Sequence, residues 1–330
     1  MSTLQRLTLE NYTTYKQASY KSIDVSYQLF GQELHTAPIV LVIHALTGNS
    51  DVASTENGWW TDLIGDRKLV DLEKYTVIAF NIPGNGYDNV LIENYKDFIA
   101  RDIARIFYLS LQKLNINNLF AVIGGSLGGG IAWEMAALYP DLIDYLIPIA
   151  TDWKSTDWII GHNAIQESIL HNSKKPLQDA RKMAMLFYRT PASFSKKFNR
   201  TKTADTNIYN VESWLDYHGR RLEDRFTLKA YLMMNHLLTT IDISSMHDSV
   251  EAVLSKIKSK IIQVSIDTDL FFVKEEALKT KQLLDKLNIQ NEYHEVKSEY
   301  GHDAFLVEHK QITDFLTPIF QKKNVGHLID

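Results

Sequence analysis

The sequence predicts an α/β protein: a mostly parallel central sheet flanked by helices and interrupted by an inserted helical cap. Two observations predict it. Short Val- and Ile-rich runs recur with helical spacing between them, and this strand signal lapses between Ala150 and Lys260 before it resumes. The runs occupy residues 38–44 (PIVLVIH), 75–81 (YTVIAFN), 119–124 (LFAVIG), 146–150 (LIPIA) and 261–266 (IIQVSI). They are nearly continuous in apolar residues, as strands covered on both faces are. Residues 98–114 and 127–138 carry helical spacing between strands, which is the alternation that builds a parallel sheet. Inside the gap, residues 176–188 and 210–239 read as amphipathic helices rich in Met, Leu, Tyr and Trp. Residues 151–246 are therefore expected to form a cap inserted into a catalytic domain made of residues 1–150 and 247–330. Apolar stripes on helices usually face a core and nothing more, so plain packing layers are the alternative; the return of the strand pattern at Ile261 favours the insertion.

Composition narrows the function classes. With 330 residues, 45% of them hydrophobic and 23% charged, the chain can bury a sizeable core. A net charge of -5, with acidic and basic residues interspersed, offers no broad basic face, so nucleic acid is not an expected partner. The absence of cysteine excludes disulfides, a thiol nucleophile and thiolate metal ligands. The opening MSTLQRLTLENY lacks the pattern of a secretory signal, and no apolar run approaches the ~20 residues that span a bilayer. A cytoplasmic protein that does not enter the membrane is the expectation.

The chemistry is read from residues 119–130, LFAVIGGSLGGG, followed at once by IAWEMAALYP. A buried strand runs into Gly124-Gly125-Ser126-Leu127-Gly128 and then into a helix, the setting in which G-x-S-x-G forms the nucleophile elbow of the α/β-hydrolase fold. Residues two positions either side of the serine would collide in so sharp a turn, and glycine at 124 and 128 removes the collision. A phosphate-cradling loop is the competing reading, but neither a G-K-[ST] ending nor a G-x-G-x-x-G start is present. Ser126 is the expected nucleophile.

Leu127 opens the helix with an N–H that has no helical acceptor, and His44-Ala45-Leu46-Thr47-Gly48 ends the first strong strand beside the elbow. The N–H groups of Leu46 and Leu127 are the expected oxyanion donors. His44 is expected to hold its loop rather than to act as a base. In this fold the acid and the histidine follow the serine in that order. Asp267 and Asp269 both follow the strand at 261–266, and His302 follows the alternating run at 292–297. Chain order does not choose between the two aspartates.

Taken together, HALTGNS (44–50), GWW (58–60), GGSLGG (124–129), DTDLFF (267–272) and YGHDAFL (300–306) resemble the homoserine O-acetyltransferase family of the α/β-hydrolase superfamily, over most of the chain. The resemblance implies that Asp269 is the acid and that Asp303 binds the amino group of homoserine. It implies that Arg181, on a helix ending in Tyr188, meets the substrate carboxylate; Arg189 lies nearby, but an arginine at a helix end is usually a solvated or dipole-compensating residue, and that is the expectation for it. The implied reaction, a step of methionine biosynthesis, is ping-pong: acetyl-CoA acylates Ser126, and homoserine takes the acetyl group. Tyr188 and the cap would limit water, no metal or tightly held cofactor is required, and a homodimer is expected. A succinyl donor, a serine acceptor and a plain esterase are the alternatives. A non-catalytic binding protein is disfavoured because all three triad members are present. One departure stands out: Asn81-Ile82-Pro83-Gly84-Asn85-Gly86-Tyr87 replaces the family's Gly-Gly-Cys stretch, at a loop expected to help shape the approach of the acyl donor. The chain is also short before Arg181, which implies a trimmed cap.

Overall fold

The computed structural model describes residues 3–205 and 207–321. β1 (Gln5–Thr13) and β2 (Ser19–Gly31) form an antiparallel hairpin at one edge of the main sheet. β3 (Ile39–Ile43) follows, then a two-residue pair, β4 (Ile64–Gly65) with β5 (Val70–Asp71), outside the main sheet. β6 (Thr76–Phe80) leads to α1 (Ala100–Lys113), β7 (Leu119–Gly125), α2 (Leu127–Leu138) and β8 (Ile143–Ile149). After the insertion come β9 (Lys260–Ile266), α9 (Lys274–Lys286), β10 (Asn291–Val296) and α10 (His309–Phe320). The eight strands lie in the order β1-β2-β6-β3-β7-β8-β9-β10, and every pairing from β6 to β10 is parallel.

The period of two along each strand divides the core in two. On β3, Leu41 and Ile43 join the layer beneath α1 and α2, whereas Val40 and Val42 join the layer of Trp60 and α10. All five residues of β3 are buried, which is why that run reads as continuously apolar.

Between β8 and β9 the chain forms α3 (Asp157–Asn172), α4 (Pro176–Tyr188), α5 (Pro191–Phe198), α6 (Asn210–Glu223), α7 (Leu228–Thr239) and α8 (Val250–Leu254). Because β8 and β9 are hydrogen-bonded neighbours, the chain leaves the sheet and returns one position over. A bridge from Lys154 to Asp242 closes the base of the excursion. Beneath it Arg101 Nε meets Glu134 Oε2 at 2.9 Å, Arg101 Nη2 donates to the Ile243 carbonyl at 2.8 Å, and Glu134 Oε1 accepts the Asp242 N–H at 3.1 Å. Both side chains are fully buried, and a buried ion pair persists only when its remaining donors and acceptors are met in this way. α1, α2 and the returning chain are thereby tied together.

The stretch 210–239, expected to be helical, is two helices broken at residues 224–227, where Thr227 Oγ1 accepts the Ala230 N–H and caps α7. β1 and β2 extend the sheet beyond the strands expected. Among the described residues no helix is long and apolar enough to cross a membrane.

Candidate active site

β7 delivers the chain into a turn that only a special backbone can make. Ser126 sits at φ 53° and ψ -123°, a region that costs a non-glycine residue about 1–3 kcal/mol and persists only where the surroundings enforce it. They do so here: the Ser126 N–H is held by the Ile149 carbonyl at 2.9 Å and α2 starts at the next residue. The glycines around it are steric requirements. A Cβ on Gly124 would lie 2.4 Å from the Gly128 backbone, and one on Gly128 would lie 2.2 Å from the Ile43 carbonyl oxygen.

The short helical loop 301–306 carries His302 to this serine. His302 Nε2 lies 2.9 Å from Ser126 Oγ, and Nδ1 lies 2.7 Å from Asp269 Oδ2. Since the carboxylate can only accept, Nδ1 carries the proton and Nε2 turns its lone pair to the hydroxyl. Asp269 is itself oriented, because its Oδ1 accepts the N–H groups of Phe271 at 2.7 Å and Phe272 at 3.0 Å. All three side chains are buried, with Phe271, Phe305 and Tyr188 rings 5.1–5.5 Å from the imidazole centroid. Asp267, which chain order could not separate from Asp269, points elsewhere: its Oδ1 accepts the Ser298 N–H at 3.0 Å and Lys297 lies 3.8 Å from Oδ2. The Trp60 of GWW supports the histidine loop from behind, donating to the Phe305 carbonyl at 3.3 Å with the two rings edge to face.

The loop after β3 is fixed from three sides. His44 Nε2 accepts the Ile82 N–H at 3.0 Å, so Nδ1 carries the hydrogen it shares with the Ala45 carbonyl at 2.7 Å. Burial pushes the His44 imidazole down to about 4, which keeps it neutral and structural. Asn81 joins the same network through Ser50, whose N–H it accepts at 2.9 Å. From the insertion, Arg225 Nη1 donates to the Thr47 carbonyl at 2.8 Å. Leu46 thus sits in a clamped turn, and Leu127, as first residue of α2, has an N–H with no helical acceptor. The loop at residues 81–87 belongs to this clamp: Asn85 bonds Asn81 at 3.1 Å, and a Cβ on Gly84 would strike Met233 of α7. It is not among the residues lining the cavity over Ser126.

That cavity, of about 60 Å³, is walled by Leu46, Thr47 and Phe305 around Ser126 and His302. Arg181, Tyr188 and Asp303 line it too, so the residues expected to meet an amino acid do converge on the serine. Arg181 lies over the Tyr188 ring at 5.6 Å. Burial raises the Tyr188 phenol well above its ordinary value, so it remains a hydrogen-bond donor. Arg189 departs from the expectation. Rather than a solvated helix end, it places Nε 2.8 Å from Asp303 Oδ2 and stacks over Tyr300 at 5.3 Å. Neither this role nor that of Arg225 could be read from spacing: Arg189 follows the last turn of α4 and Arg225 lies in the break between α6 and α7, where periodicity predicts no direction.

The α/β hydrolase fold family matches residues 38–309. A protein of Cyclobacterium marinum named homoserine O-acetyltransferase is 30% identical over 335 residues, 93% of this chain and 92% of that one. The crystal structure of homoserine O-acetyltransferase from Staphylococcus aureus superposes with a TM-score of 0.84 at 24% identity, covering 99% of this chain and 97% of that one. An acetylester hydrolase from Corynebacterium glutamicum superposes with a TM-score of 0.80 at 20% identity, covering 97% and 96%. At such identities the two structures speak for the fold alone.

Proposed function

We propose that this chain, which belongs to the homoserine O-acetyltransferase family of α/β-hydrolase-fold enzymes, moves an acetyl group from acetyl-CoA to the hydroxyl of L-homoserine through an acyl-serine at Ser126. The observation that carries the reading is one small cavity in which a serine relay closed at 2.7 and 2.9 Å faces both a cation and an anion fit for a zwitterion.

In the first half-reaction Ser126 Oγ attacks the thioester carbon while His302 Nε2 takes its proton. Asp269 holds the ring and stabilises the imidazolium. The carbonyl oxygen, now an oxyanion, lies toward the N–H groups of Leu46 and Leu127, each worth about 3–4 kcal/mol to such an intermediate. Collapse breaks the C–S bond, and His302 returns the proton to the departing thiol. In the second half, His302 takes the proton of the homoserine hydroxyl as its oxygen attacks the acyl carbon. Collapse through the same oxyanion then returns the proton to Ser126. The scheme needs no metal or tightly held cofactor. Arg181 suits the substrate carboxylate, since a guanidinium pairs with it through two parallel bonds. Asp303 suits the ammonium: Arg189 occupies Oδ2, leaving Oδ1 for the substrate. Tyr188, Phe271 and Phe305 crowd the reaction centre with apolar surface, which favours transfer over hydrolysis by limiting water.

The setting we infer is cytoplasmic, and the assembly a homodimer. Exposed apolar residues on the two helices that lead the insertion support the latter, with Trp158 at 53%, Ile165 at 52% and Leu186 at 52% exposure.

The deciding experiment adds acetyl-CoA or succinyl-CoA to the protein without acceptor and reads intact mass. An acetyl adduct on wild type, absent from Ser126→Ala and discharged by homoserine to O-acetylhomoserine, is the expected result. A succinyl adduct, discharge by serine, or discharge by water at the same rate would each replace this reading with the corresponding alternative.

A further inference from the structure

One face of the insertion contrasts with the rest of the chain. Residues 189–202, RTPASFSKKFNRTK, hold five lysines and arginines and no acidic residue, in a protein whose net charge is -5. Two of these cations are matched, Arg189 by Asp303 and Lys196 by Glu299. Lys197, Arg200 and Lys202 form no ion pair with a carboxylate among the described residues. They lie instead over aromatic rings: Lys197 is 5.0 Å from the Trp214 centroid, and Lys202 and Arg200 are 4.7 and 5.7 Å from that of Tyr209.

Two adjoining cavities open on this face. One, of about 250 Å³, lies against Arg189, Lys197, Trp214 and Tyr300; the other, of about 470 Å³, lies against Arg200 and Tyr209, and the two share Phe194 and Phe198. Phe194, Phe198 and Trp214 pack with centroids 5.5–5.7 Å apart, forming a rigid aromatic wall. The first cavity stands back to back with the catalytic one, since Arg189 lines one and Asp303, its 2.8 Å partner, lines the other. His218, whose ring meets that of Trp214 edge to face at 4.2 Å, senses the same field: burial pushes it down to about 4, and the charges of Arg181, Arg189 and Lys197 act in the same direction against Asp303.

A concave site that pairs unmatched cations with a partly accessible aromatic lining suits a ligand that is at once polyanionic and aromatic. Resting on the reading of acetyl-CoA as donor, we propose that this face binds the 3′-phosphorylated adenosine diphosphate end of the acyl donor, with Lys197, Arg200 and Lys202 on its phosphates. The adenine lies against the wall of Phe194, Phe198 and Trp214. The flexible pantetheine arm then passes over the Arg189–Asp303 bridge to present the thioester to Ser126. The nucleotide supplies binding energy remote from the bond that breaks, which is how a thioester can be held without crowding the small catalytic cavity.

The test compares two donors, acetyl-CoA and acetyl-pantetheine, which carries the same thioester without the nucleotide. In Lys197→Glu and in the double variant Arg200→Glu/Lys202→Glu, KM for acetyl-CoA should rise about tenfold or more, the loss expected for a charge-assisted contact. Rates with acetyl-pantetheine should stay at the wild-type level. Adenosine 3′,5′-bisphosphate should compete with acetyl-CoA in wild type and far less in the variants, and Lys197→Arg should retain the wild-type KM. An unchanged KM for acetyl-CoA in the glutamate variants overturns the proposal. Equal impairment with both donors overturns it too, because the residues would then act through the fold. If wild type is acylated by p-nitrophenyl acetate but by neither thioester, the donor reading itself fails and this site falls with it.

Discussion

The choice between two aspartates one residue apart gives a sharp quantitative test. In Asp269→Asn the position of the new amide is dictated by its neighbours. The Phe271 and Phe272 N–H groups, at 2.7 and 3.0 Å, demand an acceptor at Oδ1, so the NH2 group must take the Oδ2 place 2.7 Å from His302 Nδ1. Two donors cannot face each other, so Nδ1 gives up its hydrogen and Nε2 acquires one. The ring then presents N–H to Ser126 Oγ and cannot accept its proton. Loss of the base through the wrong tautomer lowers acyl transfer about 10⁴-fold, or roughly 5.5 kcal/mol of barrier. Asp267→Asn leaves an oxygen for the Ser298 N–H and forfeits only an exposed contact with Lys297, worth about 1 kcal/mol or less to stability and nothing to the relay. The assay is pre-steady-state thiol release from acetyl-CoA, with the acyl-enzyme counted by mass. A fall of less than tenfold in Asp269→Asn, or comparable falls in both variants, would refute the reasoning.

Arg181→Met and Asp303→Asn should leave Ser126 acylation near its wild-type rate and weaken transfer to homoserine by about 2–5 kcal/mol in kcat/KM; single-turnover addition of homoserine to preformed acyl-enzyme reads this directly. Asp152, which accepts bonds from Thr280 Oγ1 and its neighbour's N–H at 2.8 Å, is pushed up to about 7 by burial. Folded protein therefore keeps a proton there that the unfolded chain loses near pH 4, so stability drains as pH rises from about 4 to about 7, by at most about 4 kcal/mol. Urea titrations should find wild type losing ground to Asp152→Asn across that window, and a gap constant from pH 4 to 8 would mean that the carboxyl ionises normally. Gly128→Ala forces a methyl within 2.2 Å of the Ile43 carbonyl, backbone that cannot yield without moving β3. A loss of at least about 2 kcal/mol, with a lower Tm and no acyl-enzyme, is expected.

What the sequence made legible followed from burial and chain order. The parallel strands announce themselves because both faces are covered: β3 and β6 have no exposed residue. Ser126 and His302 stand out by their places after a strand, and those places bring them within 2.9 Å. β1 and β2 escaped because they are half-exposed at the sheet edge, where polar residues such as Arg6, Thr8 and Glu10 dilute the apolar signal. Asp267 and Asp269 were inseparable by order because their difference lies in backbone hydrogen bonds made two or three residues further on. Arg189 and Arg225 acquire their places only when loops 114 and 178 residues distant in sequence, respectively, come into contact, which no local pattern encodes.

The excursion between β8 and β9 bears on how the chain is made. β8 ends at Ile149 and its parallel partner begins at Lys260, so on the ribosome a finished strand waits for about 110 residues to emerge. At typical synthesis speeds that is about 5–20 s, during which the nascent sheet, already holding the nucleophile turn, presents an open apolar margin. Such margins recruit strands from other chains. β8 carries proline at position 148, and the final register with β9 runs Tyr145 to Lys260 and Leu146 to Ile261, then resumes only at Ile149 with Val264. Proline has no N–H to offer, so the waiting margin is interrupted where a foreign strand would need to continue. Restoring a full row of donors with Pro148→Val would leave the native pairing room to form and make the unfinished molecule a better template for its neighbours, shifting yield from soluble protein to aggregate.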